Sequence, residues 1–170
     1  YKKQSFFSLA SGTETQVNDN AWDIAFSVSG LQDAGIFINE SAGSSMGAAL
    51  PGLEVYWTIF SDFSENIDPA TLTSDFLQWN DEKSWNFGAF NAERDTLNQL
   101  DLGWGEYNPA TNSVEGTDVF VVKLRDGSYK KVEFQSLVNT TYTFRYANLD
   151  GSDEQTRTVN KADHAGKLLA

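Results

Sequence analysis

Two Asp-Gly pairs constrain this chain more than any other feature. Asp126-Gly127 lies between "VFVVKL" (119–124) and "YKKVEF" (129–134), and Asp150-Gly151 lies between "TYTFRYA" (141–147) and "EQTRTVN" (154–160). Asp-Gly between apolar-periodic segments favours a tight reversing turn, because Gly and Asp tolerate the positive φ that such a turn demands. The second half therefore reads as antiparallel β. Within it, Tyr142, Phe144 and Tyr146 line one face of a strand, and Thr141, Thr143 and Arg145 the other.

The first half repeats the pattern less cleanly. "SFFSL" (5–9), "NAWDIAF" (20–26), "GIFIN" (35–39) and "EVYWTIF" (54–60) read as strands bounded by Gly, Ser, Asn or Pro. In "NAWDIAF" a period of two sends Trp22, Ile24 and Phe26 to a buried face and Asp23, Ala25 and Ser27 to the opposite one. Helical signal is confined to "DPATLTSDFLQW" (68–79), where Asp68 can cap, Pro69 suits the first helical position, and Leu72 and Phe76 sit four apart. "SAGSSMGAALPG" (41–52) reads as one long loop. The expectation is a single domain over 1–170, all-β, a mainly antiparallel β-sandwich with at most one or two short helices.

Composition narrows the function. The absence of cysteine removes disulfides, thiolate metal sites and cysteine nucleophiles. Twelve Lys and Arg against 24 Asp and Glu give a formal charge of −12, and no Lys, Arg or His occurs between Gln4 and Glu82. A surface so poor in clustered cations repels phosphates, which argues against nucleic acid and anionic membranes as partners. No apolar run approaches the roughly 18 residues of a membrane span, and no basic-then-apolar leader opens the chain.

Three local motifs bear on chemistry. "GSSMG" (43–47) matches G-x-S-x-G, with Ser45 as the nucleophile, but the strand-turn-helix that such a motif needs is not in the sequence around it. His164 is the lone histidine and reads as an exposed residue. "NLDGSDE" (148–154) is rich in hard oxygen donors, yet it lacks the spacing of a calcium loop and is explained by the hairpin turn. The aromatics say more. Phe76, Trp79, Trp85, Phe87, Phe90, Trp104 and Tyr107 lie among Asn, Gly, Asp and Ser rather than in strand alternation. Core is the plainer reading for any one ring; a slot for a flat cofactor and a platform for sugars are the others. "LGWGEYNPATNSVEG" (102–116) is the most loop-like stretch.

Taken in order, "WDIAF", "GIFIN", "GWGEYNPATNSVEGTDVFVVKLRDGSYKKVEF" and "YTFRYANLDGS" resemble the HmuY-like family of Bacteroidetes outer-surface proteins, over nearly the whole chain. The resemblance implies an all-β fold, display at or beyond the outer membrane, and haem capture for delivery to a TonB-dependent receptor. It also implies that such a domain can open a larger secreted protein. Asp23 falls in the family's signature strand, so its implied role is architectural, a carboxylate satisfied by the backbone donors of a neighbouring loop. The family's haem binders use paired histidines or methionines, and with one His and one Met this chain cannot repeat either pair. The resulting candidates are Trp79, Trp85, Phe87, Trp104 and Tyr107 as walls of a haem slot, and Tyr107, Met46 and His164 as iron ligands. The expected function is a secreted or cell-surface, non-enzymatic binding domain with haem as ligand and an outer-membrane receptor or surface protein as partner. A haem-independent adhesion or glycan-binding module of a larger secreted bacterial protein is the alternative.

Overall fold

In a computed structural model the chain is described over residues 3–30, 33–40, 52–83 and 86–170. It is all-β, with twelve strands among those residues and no helix longer than a 3-10 turn. The strands are β1 (Lys3–Ser8), β2 (Thr13–Asn18), β3 (Ile24–Phe26), β4 (Ile36–Ile38), β5 (Glu54–Trp57), β6 (Leu77–Gln78), β7 (Gly105–Asn108), β8 (Ser113–Gly116), β9 (Val119–Lys123), β10 (Tyr129–Val138), β11 (Thr141–Ala147) and β12 (Gln155–Asn160).

Both Asp-Gly hairpins form as read. β9 pairs antiparallel with β10, and β11 with β12, while Gly127 (φ +85°) and Gly151 (φ +84°) occupy the left-handed region at the turns. β10 also turns into β11 at Asn139 (φ +56°), so one antiparallel sheet runs β12-β11-β10-β9-β5-β6. Long β10 changes partner along its length: Tyr129 to Glu133 face β9, and Ser136 to Val138 face β8. A register shift on its β11 side falls at the same place, between Phe134 and Ser136.

The stretch 102–116, read as a loop, is instead the β7–β8 hairpin. Gly105 and Gly116 stand opposite each other in it. A Cβ on Gly116 would lie 1.8 Å from the Phe134 carbonyl oxygen, so the absence of a side chain lets this hairpin close onto β10. Glycine here marks a close backbone approach rather than a loop.

The helix expected over 68–79 is corrected to two 3-10 turns, Pro69–Thr71 and Ser74–Phe76, running into β6. The capping signal was sound, since Asp68 accepts the Ala70 N–H at 2.9 Å. Propagation fails because Thr73 is extended (ψ 167°), and Leu72, Phe76 and Leu77 pack against the sheet from this irregular backbone.

The sheet is covered on both faces, which explains the unbroken buried run Val119 to Val122 in its central strand. One face carries Phe120, Val122, Val132 and Phe134 against Phe26, Ile36, Ile38, Phe90 and Trp104. The other carries Tyr56, Val119, Val121 and Ala147 against Phe63 and Ile67 of the irregular segment after β5.

"WDIAF" is shorter as a strand than its alternation suggests. Ile24 to Phe26 pair with β4 on one edge, and the chain end pairs on the other, with Ala170 and Phe26 exchanging backbone bonds at 2.8 and 3.0 Å. Phe26 is buried as expected, whereas Trp22 and Ile24 are only partly buried and Ala25 and Ser27, expected on the opposite face, are buried. Consecutive burial from Ala25 to Val28 means that both faces of this segment are covered, instead of one being wet. Asp23 is corrected likewise: its carboxylate meets the Arg125 guanidinium at 2.7 Å rather than backbone donors, tying the β3–β4 hairpin to the Asp126-Gly127 turn.

Candidate ligand-binding site

The β7–β8 hairpin builds its own turn. Asn108 accepts the Ala110 N–H at 3.0 Å, and Asn112 takes φ +52°. Tyr107 and Val114 are cross-strand partners, and both pack on the core. The Tyr107 hydroxyl donates to Asn112 Oδ1 at 2.8 Å, which anchors the ring along the hairpin.

Beside this hairpin lies a half-open cavity of about 430 Å3. Leu102, Tyr107, Val114 and Leu137 form its apolar wall, with Gln99, Asn112, Asn139 and Thr140 as a polar rim. Leu137 arrives from the far end of β10, and Asn139 and Thr140 from the β10–β11 turn that follows it, so two stretches distant in sequence converge. No charged side chain is among these lining residues. A cavity of this size and lining suits a largely apolar small molecule with a few polar contacts.

A second cavity, about 670 Å3 and more open, shares Leu102 with the first. Phe87 lines it together with Asp33, Asn86 and Asn91, and the Arg94 guanidinium lies 3.7 Å from the centre of the Phe87 ring. Asn91 is fully engaged. It accepts from the Ile36 and Gly88 N–H groups and donates to the Ala34 and Leu102 carbonyls, fixing the wall between the cavities.

The rings proposed from sequence as one slot are dispersed. Trp104 is completely buried, its indole N–H donating to the Ala34 carbonyl at 2.9 Å and its ring against Phe134 and Tyr142; it is core, because its neighbours leave no face open. Trp79 is 54% exposed beyond β6. Phe87 lines the neighbouring cavity, and Tyr107 the apolar one. His164 ends the 3-10 turn Lys161–His164, partly exposed, and is not among the lining residues of either cavity. Met46, Ser45 and Trp85 lie outside the described residues.

Leu102, Val114 and Leu137 escaped the sequence reading because each looks like ordinary core apolar content. The Asn139-Thr140 pair between two alternating runs was the available signal for the turn that closes the cavity. No cluster of three metal-ligating side chains occurs among the described residues. In "NLDGSDE", Asp150 accepts the Ser152 N–H and hydroxyl, Asn148 and Asp153 meet Lys130, and Glu154 meets Arg145. Those oxygens serve the hairpin.

Against protein-family models, residues 1–148 match the family described as HmuY protein. The chain belongs to the HmuY family. Searches of curated proteins and of solved structures returned no match. The HmuY match stops just after β11, so β12 and the chain end that pairs with β3 lie beyond it. No helix among the described residues is long and apolar enough to cross a membrane.

Proposed function

We propose that this chain is a secreted or cell-surface binding protein of the HmuY family that holds haem, without catalysis, in the cavity between the β7–β8 hairpin and the β10–β11 turn. The observation that carries the reading is that Tyr107, among the described residues the one in the lining with iron-ligating chemistry, stands in an apolar wall. Leu102, Val114 and Leu137 supply contacts for a porphyrin face, and Tyr107 an oxygen donor. With no Lys or Arg in the lining, the two carboxylates of haem belong at the open mouth, in water.

Two protein ligands to a haem iron would not fit this lining, where the described residues offer Tyr107 alone as a donor. Tyr107 must also release Asn112 and lose its proton to bind iron, and no cation lines the cavity to assist. A bound iron would itself supply the positive charge that draws the phenolate oxygen. The expected ligation is therefore a lone tyrosinate, weaker than a two-ligand site. Delivery to an outer-membrane receptor would follow from release of such a ligand.

Hemin titration of the intact chain, followed through the Soret band, tests this. The expected result is a saturable change at micromolar hemin that is weakened and spectrally altered in Tyr107→Phe and unchanged in His164→Ala and Met46→Ala. Absence of saturable change in the intact chain overturns haem binding, and a Tyr107→Phe titration identical to the parent overturns the ligand. The exposed Trp79 favours the second reading, a haem-independent glycan or adhesion module, which requires saccharide binding lost in Trp79→Ala with no response to hemin.

A further inference from the structure

Residues 3–18 stand apart from the large sheet. Among the described residues β1 and β2 pair only with each other, and every side chain from Lys3 to Asn18 except Gln4 and Val17 is exposed. Phe6 is 57% and Phe7 63% exposed. A lone two-stranded hairpin is marginal in water, and its unpaired edge is a template for another strand.

The face bearing Phe6 is uncharged: its register neighbours are Gln4, Ser8, Thr13, Thr15 and Val17. The hairpin holds one Lys and one Glu, so the chain's whole net charge of −12 resides outside it. A cationic partner would be drawn to the acidic body. The neutral hairpin is the place where two acidic copies can meet.

We propose that two copies of this chain associate through β1, strand against strand about a two-fold axis at Phe6, forming a four-stranded sheet. A two-fold contact is self-complementary, and this axis sets Phe6 opposite Phe6 of the second copy as a cross-strand aromatic pair. β2 is the less suitable edge, because it would bring the two Glu14 side chains together. Joined through β1, the Glu14 residues lie three strand spacings apart, about 14 Å. That exceeds the screening length of about 8 Å at physiological salt.

Sedimentation of the 170-residue chain from low to high micromolar concentration tests the proposal. A dimer should appear with concentration and strengthen as salt screens the acidic bodies. The amides of residues 3–8 should gain protection from hydrogen exchange as it forms. Phe6→Glu, at an exposed position, should raise the dissociation constant about tenfold or more. Leu97→Glu, at a site 92% exposed elsewhere, should leave it unchanged. A monomer at every concentration, a dimer weakened by salt, or equal effects of the two variants would overturn it.

Discussion

The two faces of the large sheet are covered in different ways. On one, five rings crowd Phe134, namely Phe26, Phe90, Trp104, Phe120 and Phe144, with Phe90 the nearest at 4.8 Å between ring centres. On the other, the cover is an irregular backbone after β5, and the sheet reaches up to it with cations. Lys131, fully buried, donates to the Glu65 carbonyl at 2.9 Å and lies 4.8 Å from the centre of the Phe63 ring. The Arg145 guanidinium, held by Glu133 at 2.6 Å, stands 4.3 Å from the same ring. Irregular backbone leaves carbonyls that must find donors on either face. On the first, the neutral side chains of Asn91, Trp104 and Tyr142 supply them, joined by Lys161 after β12; on the other, long cationic side chains of the sheet itself both supply a donor and pack on a ring.

The largest effect should come from the aromatic face. Phe134→Ala removes the ring shared by those contacts and should cost roughly 3–5 kcal/mol in denaturant unfolding. Phe63→Leu keeps apolar volume on the opposite face but deletes two cation-ring contacts, so roughly 1–2 kcal/mol is expected. Equal losses from these two substitutions would erase the contrast between the faces.

Lys131→Met sharpens it further. Burial lowers the pKa of Lys131 below its ordinary 10.5, so the folded state binds fewer protons than the unfolded one between the lowered value and 10.5. Stability from this group therefore rises with pH across that window. Near neutral pH, relief from burying a charge should offset most of the lost carbonyl contact, and Lys131→Met should lie within about 1 kcal/mol of the parent. The parent should gain on the variant as pH is raised toward 10.5, as read from paired unfolding curves; a flat difference would mean that Lys131 is not desolvated.

The smallest effect belongs to the partly exposed Asp23–Arg125 pair, where Asp23→Asn should cost roughly 0–1 kcal/mol. A larger loss would make that pair a structural clamp on the β3–β4 hairpin.

What this sequence determined by itself was local. Asp126-Gly127 and Asp150-Gly151 placed two turns, and the alternating runs beside them placed β9 to β12, because turn geometry and side-chain period act within a few residues. The all-β class and the family likeness followed from those segments in order. Tyr107 was legible as a ring with ligand chemistry, but the wall around it was not. Leu102, Val114 and Leu137 come from a loop, a strand and the far end of β10, and only the partner switch along β10 brings them together. The same holds for burial. Trp104, between two glycines, and Trp79, beside Asn80 and Asp81, both stand outside strand alternation in the sequence, and tertiary packing sends one into the core and leaves the other in water. Which face of a segment is dry depends on what lies across from it, and that is a property of the assembled sheet rather than of any stretch of chain.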